Sequence, residues 1–181
     1  MEENIIILGA GASADSGAPL MSNFLDKAED LLSSSIDPRT KECIKKVFHL
    51  LDEMQKVHSK SRLDLNNIET VFGAIEMAQI IKRLGNISPS EIPDYRRAIV
   101  KLIVRTIEQS MNFEYENSLI YAPGSYKSLM AYIAKEKESF RTIISFNYDL
   151  GIDTAVHRAG YKVRYGFEEA SPEINAFNVL K

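Results

Sequence analysis

The chain has 181 residues, is 45% hydrophobic and 26% charged, and carries a net charge of -3. That is enough chain for one sizeable core and gives no electrostatic footprint for nucleic acid, so direct contact with nucleic acid is not expected. No apolar run approaches the roughly 18 residues of a membrane span, Met1-Glu2-Glu3-Asn4 lacks a basic signal-peptide start, and the lone Cys43 excludes an intrachain disulfide; the expectation is a cytoplasmic protein with no membrane partner.

The first element is a short apolar strand, Ile5-Ile6-Ile7-Leu8, read as buried. It runs into Gly9-Ala10-Gly11-Ala12-Ser13-Ala14-Asp15-Ser16-Gly17-Ala18-Pro19, a turn of residues with almost no side chain. Between a strand and a helix, bare N–H groups and the positive end of a helix dipole converge, and the usual guest is a phosphate. A Walker loop is excluded, because no Lys or Arg lies between Gly9 and Asn23. The Rossmann glycine pattern fits nominally as Gly9, Gly11 and Ala14. Its acidic partner about 20 residues on does not fit, since Glu29 and Asp30 fall inside a helical pattern. An ordinary dehydrogenase is therefore not expected, and a ligand-free Gly-rich turn stays open as the plain alternative.

A long helical stretch follows. Leu20, Phe24, Ala28, Leu31 and Leu32 recur at helical spacing; Asp37-Pro38 opens a second helix with Ile44, Val47, Phe48, Leu51 and Met54 on its apolar face. Asn66 with Glu69 reads as a capping box for a third helix, through Ile68, Val71, Phe72, Ile75 and Ile81 to a stop at Gly85. A fourth carries Tyr95, Ile99, Leu102, Ile103 and Ile107, and a fifth Tyr126, Leu129, Met130 and Ile133. Arg96, Arg97, Lys101 and Arg105 form a basic cluster whose simplest reading is a solvated helix face.

The second informative segment is the strand Arg141-Thr142-Ile143-Ile144-Ser145-Phe146, which stops at Asn147-Tyr148-Asp149-Leu150-Gly151 where a helix begins. In open α/β sheets, ligands bind outside the carboxyl ends of strands. Asp149 reads equally as a helix cap, and Asn147 as a turn residue. His157 lies off the apolar face of the following helix, and His49 and His58 sit in a helical stretch.

Strand-GAGAS-x-x-SGAP followed much later by strand-FNYD-helix resembles the SIR2-like (sirtuin-related) NAD+-binding domain, in the divergent bacterial branch that includes antiphage NAD+ hydrolases. The resemblance implies an α/β fold: a Rossmann-like, mostly parallel sheet with a large helical insertion between the first strand-loop and the FNYD strand. It implies a single domain over 1–181, with the core in 1–19 and 141–181, the insertion in 20–140, and the C-terminal part missing. Gly9, Ala10, Gly11, Ala12 and Ser13 would cradle the NAD+ pyrophosphate, with Ser16, Gly17 and Pro19 lining the same loop. Asn147 would be the catalytic asparagine beside the nicotinamide ribose, and Asp149 would shape that pocket and share in catalysis. NAD+ is the implied cofactor or substrate, without a metal. A second copy of the chain, or an additional effector domain or protein, is the implied macromolecular partner.

The departures narrow this expectation. Protein-deacylating sirtuins carry an Asp-Phe-Arg signature where this chain has Leu20-Met21-Ser22-Asn23-Phe24, and Cys43 alone cannot build their four-cysteine zinc module. The family histidine, in a Leu-His-Gly turn after the next strand, has no counterpart following Ala176-Phe177-Asn178-Val179-Leu180-Lys181, so the chain as given is expected to hydrolyse NAD+ poorly. NAD+ hydrolysis is the first reading. A regulatory module that binds NAD+ or ADP-ribose without chemistry is the second, and a deacylase the third.

Overall fold

The computed structural model describes residues 4–57, 63–116, 119–121, 124–135, 140–164 and 176–180. The chain is α/β and divides into two compact units, one of residues 1–18 with 110–181 and one of residues 19–109. The insertion expected over 20–140 is thus split. Its part up to Gln109 forms the second unit, and the segment from Ser110 onward belongs with the sheet.

In the first unit, β1 (Asn4–Leu8), β4 (Phe140–Ser145), β5 (Lys162–Arg164) and β6 (Ala176–Leu180) form one sheet in the order β1-β4-β6-β5. Every pairing is parallel. The isoleucine runs of β1 and β4 favour extended backbone, and they align in register, Ile6 with Ile143, Ile7 with Ile144 and Leu8 with Ser145. The Phe146 N–H donates to the Leu8 carbonyl at 3.0 Å, carrying the pairing one residue past β4. Ile143 and Ser145 are buried, whereas Ile5 and Ile7 are 60% and 66% exposed. The first strand is therefore not buried throughout: it is the edge strand of the described sheet, and alternate side chains point to opposite faces. A small antiparallel pair, β2 (Glu114–Glu116) and β3 (Leu119–Tyr121), and the helices α5 (Ser125–Lys135) and α6 (Gly151–Arg158) complete this unit. β6 lies where the last apolar run predicts a strand; Lys181 lies outside the described residues.

The second unit contains α1 (Phe24–Ser33), α2 (Pro38–Val57), α3 (Ile68–Ile81) and α4 (Ile92–Ser110), the last running on to the unit boundary. Its core joins Phe24, Ala28, Ile44, Val47, Leu50, Ile75, Ile99 and Leu102. Helical periodicity picks out most of this stripe, but on α2 Leu50 is fully buried and Leu51 only partly, and on α3 Ile81, expected on the apolar face, is 58% exposed. Asp37 starts α2 as expected, its Oδ1 accepting from Thr40 N at 2.9 Å and its Oδ2 from Thr40 Oγ1 at 2.5 Å, with Pro38 in the first helical turn.

The limits of α3 differ from those in the sequence reading. Asn67, not Asn66, caps it, its Oδ1 accepting from Glu69 N at 2.8 Å and Thr70 N at 3.4 Å. Asn66 instead donates its backbone N–H to Asp64 Oδ1 at 3.1 Å in the preceding turn. The helix ends at Lys82, which takes the left-handed conformation at φ 56°, and Gly85 serves the tight turn closed by Ile87 N–H to Leu84 O.

This cap assignment is testable by chemical denaturation. Asn67→Ala should cost about 1 kcal/mol, the usual worth of an N-cap side chain, while Asn66→Ala should stay within about 0.5 kcal/mol of the parent, as surface changes do.

Candidate functional site

Because β1 and β4 are parallel neighbours in register, the segments leaving their carboxyl ends emerge side by side. After β1 the small-residue run is not an open loop. It winds into a 3-10 turn over Ala10–Ser16, with Gly9 before it and the Ala12 N–H donating to Gly9 O at 2.9 Å. Gly9, Ala10 and Gly11 lie exposed and Ala12 is half-buried. A Cβ added at Gly9 or Gly11 would meet nothing within 4 Å. Ser13 and Ser16 are fully buried on the inner side of the turn. Gly17 closes the turn at φ 88°, where a Cβ would lie 2.4 Å from Ser110 O. Ser16 O accepts from Asn112 N at 2.8 Å, and the Ala18 N–H donates to Ser13 O. Pro19 is buried and begins the helical unit.

After β4, Asn147 and Asp149 turn inward, 6% and 5% exposed, while Phe146, Tyr148 and Leu150 between them stand out to solvent. Ser13 Oγ joins the two segments. It donates to Asp149 Oδ2 at 2.6 Å, accepts from Asn147 Nδ2 at 2.8 Å, and lies 2.5 Å from the Tyr126 hydroxyl. Asn147 Nδ2 also donates to Tyr126 Oη at 3.2 Å. The other Asp149 oxygen accepts from Gly151 N at 2.7 Å, at the start of α6. Asp149 thus starts α6 and at the same time ties that start to Ser13 in the turn after β1. Asn147 Oδ1 is buried and has no hydrogen-bond partner among the described residues, a condition that costs about 1–3 kcal/mol until a water or ligand donor fills it.

Two residues of this cluster escaped the sequence reading. Helical spacing gives Tyr126 only as an apolar position of α5; the available signal is its hydroxyl, which a buried tyrosine must satisfy. Burial, partly offset by the Ser13 hydrogen bond, raises its phenol above the ordinary value, so it stays a donor at neutral pH. Gly151 lets the ring lie close: a Cβ there would fall 2.4 Å from Tyr126 Cε2 and 2.8 Å from Asp149 Oδ1. Asp15 is the other. From the exposed side of the 3-10 turn, its Oδ2 accepts from Ser125 N at 2.7 Å and Ser125 Oγ at 2.6 Å, capping the first turn of α5. These bonds hold its carboxyl below the ordinary carboxylate value. The phosphate-loop candidate and the helix carrying Tyr126 are therefore tied at two points.

The remaining candidates lie elsewhere. His157 is exposed on α6, His49 pairs through Nδ1 with the Tyr95 hydroxyl at 3.2 Å, and His58 lies outside the described residues. Arg96 pairs with Glu76 at 2.6 Å, Arg105 with Glu108 at 2.8 Å, and Arg97 with Asp94, so most of the basic cluster is offset locally. A cavity of about 560 Å³ in the helical unit, against Leu63, Ala74, Met77 and Leu84, contains none of the polar network. Among the described residues no cluster of acidic, histidine or cysteine side chains is placed to hold a metal, and no helix is long and apolar enough to cross a membrane. No protein-family model matches the chain, and no curated protein matches its sequence.

Two expectations follow from the carboxylates. Both Asp149 oxygens face donors, so Asp149→Asn sets an amide N–H against one of them and should cost about 1–3 kcal/mol by denaturant unfolding despite its equal size. For Asp15, a depressed folded-state pKa means stability present above the unfolded value of about 4 and lost as pH falls through the lower folded value. Asp15→Asn should therefore lower the urea midpoint at pH 7 and flatten its acid fall, the two curves converging at the lowest pH.

Proposed function

We propose that the sheet unit is a SIR2-like, Rossmann-like NAD+-binding domain whose site hydrolyses NAD+ to nicotinamide and ADP-ribose, in the antiphage setting that the resemblance implies. One observation carries the reading. Ser13 and Asp149, 136 positions apart, meet at the carboxyl ends of two adjacent parallel strands, the edge of an open sheet where ligands bind. On one side of that junction is a surface without side chains at Gly9 and Gly11, where a pyrophosphate could approach the backbone closely. On the other is a buried asparagine carbonyl lacking a donor among the described residues, the complement of a ribose hydroxyl or a water.

The chemistry asks little of strong acids. Breaking the nicotinamide–ribose bond expels a neutral leaving group, so the demands are a held ribose, a stabilised cationic ribosyl centre and a placed water. An amide suits these because it carries an acceptor and donors but no titrating charge. Asn147 Nδ2 is engaged by Ser13 and Tyr126, which leaves Oδ1 as the atom for substrate. That engagement also favours the second reading, a site that binds NAD+ without turnover. Nicotinamide release by the purified chain, however slow, that Asn147→Ala abolishes supports hydrolysis, and NAD+ binding with no release supports the second reading.

Binding is tested first by calorimetry with NAD+. Gly11→Val should weaken binding at least about tenfold, the effect of some 1.4 kcal/mol. It should change unfolding stability by less than about 1 kcal/mol, since the added side chain meets no protein atom near its Cβ. Absence of NAD+ binding by the parent, or equal affinity for the two proteins, overturns the reading.

A further inference from the structure

The structure assigns Tyr126 a role that the NAD+ reading alone does not supply: we propose that its hydroxyl is a positioning group, fixing the Asn147 amide so that Oδ1 is offered to a hydroxyl of the nicotinamide ribose. The inference rests on the NAD+ reading and adds to it the residue that sets the orientation of the asparagine.

The argument is a count of protons. Ser13 Oγ has one hydrogen, and it goes to Asp149 Oδ2. The short contact between Ser13 Oγ and Tyr126 Oη therefore takes its proton from the phenol. Ser13 then accepts twice, from Tyr126 and from Asn147 Nδ2, and its lone pairs are filled. Tyr126 Oη, having donated its proton, has none left to give and can only accept from Asn147 Nδ2, sharing the N–H that points at Ser13. The direction of every bond follows from the carboxylate at the end of the chain. Turning the amide over would face Oδ1 toward the Ser13 and Tyr126 oxygens, neither of which has a proton left for it, and would forfeit the shared N–H donor. Asn147 is therefore held in one of its two amide orientations, and Oδ1 is left as the acceptor without a partner among the described residues.

The phenol itself is well anchored. Its ring is buried on α5, whose first turn is capped by Asp15, and it lies close over Gly151. Removing only the oxygen should leave that packing in place.

The test is a cycle of calorimetric titrations with NAD+ and two analogues, each lacking one hydroxyl of the nicotinamide ribose. In the parent chain one analogue should bind more weakly than NAD+. Tyr126→Phe should lower NAD+ affinity about fivefold, the scale of one hydrogen bond of about 1 kcal/mol, and lower affinity for that analogue by less than about twofold. An equal loss for all three ligands would make Tyr126 merely structural and overturn the inference, as would no loss for any, or a parent that does not distinguish the analogues. A parent that binds none of the three overturns the NAD+ reading, and this inference with it. Should Tyr126→Phe fail to fold, side-chain amide exchange in the parent decides. The Asn147 N–H proton directed at Ser13 and Tyr126 should exchange much more slowly than those of exposed asparagines, and equal rates would overturn the inference.

Discussion

The site depends on one pairing, that of β1 with β4 in parallel and in register. The two strands are separated by the whole helical unit and more, and closing so long a loop has an entropic cost that the pairing itself must offset. Parallel neighbours end on the same side of a sheet, so the segments after Leu8 and Ser145 leave together. A shift of one residue would turn Ser145, beneath the Asn147 N–H, to the opposite face. Burial of Ile143 and exposure of Ile5 and Ile7 set that register on the β4 side more than on the β1 side.

Above the pairing, the polar cluster adds specificity more than stability. A fully paired hydrogen bond contributes only about 1 kcal/mol net, whereas a broken one leaves a buried group unsatisfied at a larger cost. Ser13 is the member with most to lose, because three partners from α5, the Asn147 turn and the start of α6 meet on one oxygen. Such a hub selects one arrangement of the two segments and leaves one atom of the cluster, Asn147 Oδ1, without a partner among the described residues.

What the sequence made legible was what short-range physics decides. The isoleucine strands, Asp37-Pro38 at the head of α2 and most of the apolar stripes of α1 to α5 follow from local pattern, Leu50 and Ile81 excepted. The choice between Asn66 and Asn67 did not, because either side chain suits a cap and the preceding Asp64 turn settles which one is used. The end of α3 also misled: Gly85 is the natural stop, yet Lys82 takes the left-handed conformation first. Asn147 and Asp149 were legible as polar groups at a strand end. Tyr126 was not, since a tyrosine on a helix stripe reads as core until its hydroxyl's neighbours are known. Asp15 was hidden likewise, its partner Ser125 lying 110 positions away.

The glycines sharpen the distinction between internal and external demands. At Gly151 the reason for lacking a side chain is inside the protein, where the Tyr126 ring and the Asp149 carboxylate fill the space a Cβ would take. At Gly9 and Gly11 no such reason exists among the described residues: no positive φ, no neighbour within 4 Å of a Cβ. Gly73 in α3 shares those open surroundings, so openness alone is not the argument. What differs is place. Gly9 and Gly11 sit at the carboxyl end of a parallel strand, in the turn whose Ser13 holds Asn147, and a helix-forming residue there would lower the conformational entropy lost on folding. A turn that forgoes that gain, beside an Asn147 carbonyl lacking a donor among the described residues, is what the proposed pyrophosphate surface would require.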